Sequence, residues 1–390
     1  MRVVLATEAI KQPLTGIGRY TWELASRLLE HPSVHSIRYL SQGRWKNSKE
    51  VLGCGTSKGK GGNGKKQKEG VFYQQLVRSK AVGNVYDLLY PFLVKARVNS
   101  KETDLFHGPN YLVPKLDIPT VVTIHDLSTI VNPKWHLPQR AARINKSIIR
   151  SLKNASQIIT DSQAIRKEVL TYFGLPEDRV AAIHLGVDSV FRPRTFANLQ
   201  VPLGQFGLKP GSYSLCVATI EPRKNIMRLI SAYRELPAQI RCQWPLVLVG
   251  ERGWNSQEIH QEIIRAAQEG WLKYLGYIPQ GLLPLLYAGC RLFAYPSLYE
   301  GFGLPIAEAM ASGVPVLTSN RSSMPEVAGG ASLLIEPEDE IALREGLSLA
   351  LQDEGWRSRA VEEGLRHALE MTWDACIEKT IAVYDRAIRQ

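Results

Sequence analysis

Metal-binding, redox and membrane-spanning signatures are largely missing from this sequence. Five cysteines stand at 54, 216, 242, 290 and 376, none in a C-x-x-C pair, and the eight histidines fall in no metal-ligand spacing. An odd, scattered cysteine set argues against a disulfide framework and suits a reducing cytoplasm. No D-x-D is present to hold a divalent metal. No apolar run approaches the roughly 20 residues that cross a bilayer, and Met1–Ala6 lacks the length and cleavage site of a signal peptide. Basic residues are not interleaved with aromatics in the manner of a nucleic-acid reader, so no nucleic-acid partner is expected.

What is present points to a two-domain α/β protein. A chain of 390 residues with 44% hydrophobic content exceeds one ordinary core. Short apolar runs at 2–6, 36–41, 103–106, 119–124, 157–160 and 180–184 alternate with amphipathic stretches such as 17–30, 138–153 and 163–173. A second series follows at 213–218, 246–250, 273–277, 291–295, 314–318 and 331–335, with helical patterns at 225–236, 257–269 and 305–312. This alternation predicts two parallel sheets flanked by helices. The series restarts near Tyr213 after a proline-bearing stretch, which puts the boundary at 190–210, and 339–389 reads as helical. Net charge is +11, and 43–70 carries eight Lys/Arg against two Glu, with eight glycines. That composition predicts a mobile basic loop, either a solvated insertion or an attractor for anionic lipid or a lipid-diphosphate acceptor.

Open parallel sheets bind ligands outside the carboxyl ends of their strands, so the informative loops are those that follow strands. After the first comes Thr15-Gly16-Ile17-Gly18-Arg19-Tyr20, expected to lead into a helix from Tyr20. Gly16 and Gly18 would let the backbone approach a substrate, but a complete dinucleotide fingerprint is absent there, which argues against a dehydrogenase. His125 and Asp126 follow 121–124. The histidine is expected to face the cleft, with Asp126 either fixing its tautomer or capping the next turn. Asp161 and Ser162 read as an ordinary helix cap, with Ser162 still able to face the cleft. After 213–218 come Glu221-Pro222-Arg223-Lys224-Asn225. Two cations at a helix start oppose its dipole unless an anion is bound there. Gly250 with Glu251 reads as another close-approach turn.

The most specific segment is Glu300-Gly301-Phe302-Gly303-Leu304-Pro305-Ile306-Ala307-Glu308. Proline suits the first helical position, which sets Glu300 in a loop and Glu308 in the first helical turn. Free N–H groups and the dipole between them favour phosphate, while each carboxylate can accept hydroxyl protons. The pattern suggests a nucleotide sugar.

Together these residues resemble the retaining glycosyltransferases of family 4, with the GT-B fold, across nearly the whole chain outside 43–70. The E-x7-E segment is the most specific, then 221–225, 16–20, 125–126 and His184-x-Gly186-Val187-Asp188. The stretch from His125 is similar to bacterial mannosyl- and rhamnosyltransferases of polysaccharide and lipopolysaccharide assembly, which draw on GDP-sugars. The resemblance implies an acceptor-binding domain at 1–190, a donor-binding domain at 191–370, and a last helix at 371–390 returning to the first domain. It implies that Arg223 and Lys224 bind the donor diphosphate, Glu308 the ribose and Glu300 the sugar hydroxyls. N–H groups at Phe302, Gly303 and Leu304 would meet sugar and phosphate, with Gly250 close by. His125 would hydrogen-bond the sugar, and Gly16 and Gly18 would line the acceptor and phosphate side. No cofactor is expected beyond the nucleotide sugar, GDP favoured over UDP, and the acceptor would be a glycan or lipid-diphosphate-linked glycan. The expected location is cytoplasmic, with peripheral contact to the inner membrane face through 43–70. The rival readings are a sugar-nucleotide epimerase and a non-catalytic nucleotide- or carbohydrate-binding protein.

Overall fold

A computed structural model describes residues 1–12, 14–56 and 89–390. The first sheet contains β1 (Arg2–Ala6), β2 (Ser36–Ser41), β3 (Arg44–Lys46), β4 (Leu105–Gly108), β5 (Thr120–Ile124), β6 (Gln157–Thr160) and β7 (Val180–Ala182), in the order β3-β2-β1-β4-β5-β6-β7. The second contains β8 (Ser214–Val217), β9 (Leu246–Val249), β10 (Leu272–Tyr274), β11 (Leu292–Tyr295), β12 (Val316–Ser319) and β13 (Leu333–Ile335), in the order β10-β9-β8-β11-β12-β13. All neighbours pair parallel except β2 with β3. The expected strands all form, with ends moved by no more than three residues. β4, β5, β6, β9, β11 and β12 are buried throughout, because helices cover both faces of each sheet.

The expected loop at 43–70 needs correction over its first part. Arg44–Lys46 forms an antiparallel edge strand with Leu40 opposite Trp45, and Ser48–Thr56 is a helix. The cause is apolar anchorage that the charge count hid. The Arg38 guanidinium lies over the Trp45 ring at 3.9 Å, Val51 is buried, and the Trp22 indole N–H donates to the Leu52 carbonyl at 3.1 Å. The remainder, 57–70, lies outside the described residues.

Between the sheets the chain runs through a short linker and the helix Phe196–Gly204, whose Leu199 and Leu203 are buried. The last helix, Trp373–Arg389, packs on the first sheet at β4, β5 and β6 and on the helix Gly16–Glu30. It is capped by Thr372, and it buries Trp373, Ile377, Ile381 and Tyr384. At its start the Val187 N–H donates to the Met371 carbonyl at 2.9 Å. Gly186 fits here because it has no side chain: a Cβ would stand 2.1 Å from the Trp373 nitrogen. Deeper in, the Tyr384 hydroxyl meets His107 Nδ1 at 2.6 Å, and Thr123 Oγ1 meets Nε2 at 2.9 Å. Burial lowers the His107 imidazole to about 3, so the ring is neutral.

This seat yields a stability prediction. Gly186→Ala should destabilise the fold by about 1–3 kcal/mol, the usual scale for overpacking. Urea denaturation checks it, and an unchanged midpoint would mean that the helix start is free to shift.

Candidate active site

Strand order explains how distant motifs meet. β8 and β11 are hydrogen-bonded neighbours, yet the chain leaves β8 toward β9 and β10 and then crosses back to β11. A crevice opens where strand order reverses, at the carboxyl ends. The loop after β8 carries Glu221–Asn225, and the loop after β11 carries Glu300. They are joined by a Leu298 N–H bond to the Arg223 carbonyl at 2.9 Å.

Three of the expected side chains form one buried charge cluster here. Lys224 Nζ donates to Glu300 Oε1 at 2.6 Å and to the Tyr295 hydroxyl at 2.8 Å. The Tyr295 hydroxyl also donates to Glu300 Oε1 at 2.9 Å. Arg223 donates to Glu300 Oε2 at 3.2 Å, to the Tyr299 carbonyl at 3.0 Å, and through two nitrogens to Glu221 Oε1 at 3.2 and 3.1 Å. Asp126 Oδ2, from the first half, stands 3.9 Å from the guanidinium. Burial alone would raise the Glu300 carboxyl, but the charges of Lys224 and Arg223 outweigh it and hold the group at about 2. Burial also opposes the charge on Arg223, yet Glu300, Asp126 and Glu221 more than restore it. For Lys224 burial wins and its pKa falls, with Glu300 opposing. Both oxygens of Glu300, the carboxylate expected to hold sugar hydroxyls, are engaged with the cations.

Glu308 lies apart from this cluster, in the second turn of the helix Leu304–Ala311 and not its first. Burial pushes its carboxyl up to about 8. The Tyr287 hydroxyl and the Arg19 charge act downward, and Asp188 acts upward. A row of rings links Glu308's surroundings to the cluster, with Tyr287 tilted against Phe293 at 5.1 Å between centroids and Phe293 stacked on Tyr295 at 5.8 Å. Gly303 holds φ 102° at the N-cap, a backbone state that excludes most residues, and no side chain caps the helix. Leu304 opens the helix half-buried. The Phe302 side chain is buried and its carbonyl accepts from Ser323 Oγ at 2.7 Å.

The first half contributes the opposite wall. His125 Nδ1 meets Asp161 Oδ2 at 2.7 Å, and Nε2 meets the Pro109 carbonyl at 2.8 Å. Burial would lower the imidazole, but Asp161 and the Pro109 carbonyl raise it. Two acceptors on one ring favour imidazolium. Asp161 positions the ring, Asp126 takes the second of its two expected roles, and both ring nitrogens face protein oxygens. Asp126 caps the next turn, accepting from the Ser128 N–H at 2.9 Å. The helix after β1 starts at Gly16, earlier than Tyr20. A Cβ on Gly16 would meet open space, whereas one on Gly18 would stand 2.9 Å from the Ala9 carbonyl, so Gly18 serves local packing. Gly250, at φ 141°, allows close approach to the chain's own Ala218 carbonyl, 1.9 Å from a built Cβ.

The residues that join the halves escaped the sequence reading. Ser162 caps its helix as expected, and it also donates to the Gly301 carbonyl at 2.7 Å. The Tyr299 hydroxyl donates to Glu168 at 2.6 Å and accepts from the Leu127 N–H at 3.1 Å. Glu326 accepts from the Gln163 and Ala164 N–H groups at 2.8 and 3.1 Å, capping a helix of the other half. The Trp254 indole N–H donates to the Trp135 carbonyl at 2.6 Å. A Cβ on Gly301 would lie 2.0 Å from the His125 carbonyl. Of these, Gly301, inside the E-x7-E motif, and Ser162, a cap able to face the cleft, carry a sequence signal.

The two glutamates give opposite pH signatures. Glu300, depressed in the folded state, stabilises above the unfolded carboxyl range; that stability disappears as pH falls from about 4.5 to 2, on the order of 3 kcal/mol. Glu308, raised in the folded state, costs stability as pH climbs from about 4.5 to 8. Glu308→Gln should therefore melt above the parent at pH 8–9 and match it near pH 4. Thermal scans across that range check this, and a lower alkaline melting point would contradict it.

Comparison with known proteins agrees with this geometry. Residues 14–191 match Glycosyltransferase Family 4, and residues 207–367 match Glycosyl transferases group 1. O-antigen chain mannosyltransferase B of Escherichia coli is 38% identical over 390 residues, covering 98% of this chain and 99% of its own. The solved structure of WaaG, a glycosyltransferase involved in lipopolysaccharide biosynthesis, superposes with a TM-score of 0.73 at 17% identity, covering 97% of this chain and 98% of that one. HepE of Anabaena, in complex with UDP and glucose, gives 0.70 at 17% identity, covering 99% and 100%. With two parallel sheets of the GT-B arrangement and an end-to-end relative, the chain belongs to glycosyltransferase family 4.

Proposed function

We propose that the protein transfers mannose from GDP-mannose, with retention of configuration, to a growing lipid-diphosphate-linked glycan of the O-antigen kind. The observation that carries the reading is the convergence of Arg223, Lys224 and Glu300 beside the start of the helix Leu304–Ala311, which no side chain caps. The name of the Escherichia coli relative supports the choice of sugar and acceptor. In this reading the second half takes the donor and the first half the acceptor, on the cytoplasmic side. No described helix is long and apolar enough to cross a membrane.

Each residue then has a charge role. Arg223 and Lys224 face the diphosphate, Arg as a fork and Lys as a point charge. Glu300 holds both from behind and offers a lone pair to a sugar hydroxyl once the diphosphate shares the cations. Glu308 accepts from the ribose, and N–H groups at Phe302, Gly303 and Leu304 meet phosphate and sugar. Gly16 lines the acceptor side. Breaking the sugar–phosphate bond leaves a diphosphate anion, and each preorganised donor contributes about 3 kcal/mol to the transition state. The acceptor hydroxyl attacks on the face that the diphosphate leaves, and a departing oxygen takes its proton. Two cations occupy the place a divalent metal would have, so the reaction proceeds without one.

The direct test offers the purified protein GDP-mannose and a lipid-diphosphate glycan. The product should gain one α-linked hexose, by mass and anomeric NMR, and EDTA should leave the rate intact. Turnover with UDP-glucose alone, or an inverted product, would overturn the reading. Glu308→Ala should weaken GDP binding by about 1–3 kcal/mol in calorimetry. Lys224→Ala should lower kcat at an unchanged fold, and full activity would remove it from the diphosphate site.

A further inference from the structure

Trp254 of the second half is held by three residues of the first. Its indole N–H donates to the Trp135 carbonyl at 2.6 Å, the His136 ring tilts against it at 5.8 Å between centroids, and the Arg140 guanidinium lies over it at 4.5 Å. The loop that presents it is braced. The Gly253 N–H donates to the Ile220 carbonyl at 2.9 Å, and Ser256 Oγ donates to the Gly253 carbonyl at 2.9 Å. Between them Asn255 sits at φ 51°, a left-handed state that asparagine adopts more readily than most residues. The reaction proposed above makes no use of this contact.

His136 is its titratable member, and it is only 8% exposed. Nε2 stands 3.0 Å from Ser128 Oγ, and Ser128 commits its one hydroxyl proton to Asp126 Oδ1 at 2.6 Å. Nε2 therefore carries the ring proton and donates it to Ser128. That leaves Nδ1 as a bare lone pair, buried with no partner among the described residues. Trp254 has nothing to give it, since an indole has one donor and Trp135 takes it. Burial lowers the imidazole from its usual 6.5, Arg223 and Arg140 act the same way, and Asp126 opposes them. A proton at Nδ1 would bury an N–H with no acceptor, which water relieves only once the indole lifts away. The indole face compensates little, because Arg140 already draws on it.

We propose that Trp254 and His136 form an acid-released clasp, which holds the halves together while His136 is neutral and lets them part when Nδ1 gains a proton. The sign follows from linkage. The ring has a lower pKa in the closed arrangement than in an open one, where it returns to about 6.5, so closure is favoured above that value. As pH falls below about 6.5 the ratio of closed to open drops, by up to about tenfold per pH unit, and levels off once the closed ring titrates too. Another histidine between the halves, His184, bonds Glu326. A proton there would strengthen its pair, so His184 is not the source of release.

The test is carbon-13 histidine NMR of the full chain, titrated from about pH 8 down to about pH 5, with the His136 signal identified by its absence from H136Q. In the parent that signal should titrate below about 6.5, and in W254A it should move up toward 6.5. Small-angle scattering then reads the halves. The parent's radius of gyration should rise between about pH 7.5 and about pH 5.5, and W254A should be expanded at both. H136Q keeps a donor for Ser128 but cannot titrate, so it should stay compact at both. W254F keeps a ring and loses only the N–H; it should lie between parent and W254A, which separates release of the clasp from a folding fault in W254A. A His136 pKa unchanged or lowered in W254A would show that the indole does not oppose the charged ring, and would overturn the proposal. So would a pH-independent radius in the parent, or the same acid expansion in H136Q. Neither measurement reads transfer, so a failure of the mannosyltransferase reading would leave the clasp standing.

Discussion

A buried carboxylate shared between two cations organises the cleft side of the second half. Arg223 and Lys224 are largely out of water, and neither would stay charged there without compensation. Glu300 supplies it, reinforced by Glu221 and by Asp126 across the cleft. The cost of burial is met before any ligand arrives, so the cations keep a fixed direction. Fixed charge is what transition-state stabilisation needs, since little reorganisation remains when the leaving group develops its charge. Glu300 thus belongs to the same machine as the cations, and removing it would disorder them even if it never touched sugar.

The same loop carries the contacts that join the halves. Within four residues, Tyr299 reaches Glu168, Glu300 grips the cations, Gly301 backs onto His125, and Phe302 hands its carbonyl to Ser323. The paired cations and the contacts between the halves are therefore tied to one short segment. A shift of the cations would move Tyr299 through the Arg223 bond to its carbonyl, and Tyr299 is bonded to the first half. The arrangement gives a physical route by which an anion bound at the two cations would alter how firmly the first half closes on the second.

Much of this was legible in the chain, and the reasons for the rest are specific. The strand run 246–249 is readable because burial on both faces leaves only apolar residues between turn signals. The Arg223-Lys224 doublet was readable because it violates the dipole preference at a helix start. The edge strand at 44–46 was not, because three residues give no periodicity and their charge masked Trp45. Asp161 was taken as a cap because the sequence shows a residue's neighbours along the chain and not across the sheet. Its partnership with His125 arises from β5 and β6 lying side by side. Gly250 had the right geometry with the wrong partner: φ 141° is real, but Ala218 fills the approach.

His125 shows how far geometry alone carries the chemistry. Its two ring nitrogens are both engaged with the protein, one with the Asp161 carboxyl and one with the Pro109 carbonyl. Such a ring cannot take a proton from an acceptor hydroxyl without breaking one of these bonds. In the proposed transfer the base is therefore not His125, and the departing phosphate oxygen takes that role. What His125 presents toward the second half is its main-chain carbonyl, against Gly301, where any side chain would collide. A carbonyl dipole at that place opposes no positive charge. A sugar that becomes cation-like as its diphosphate leaves would meet oxygen on one side and the paired cations on the other, each held by bonds formed before the substrate enters.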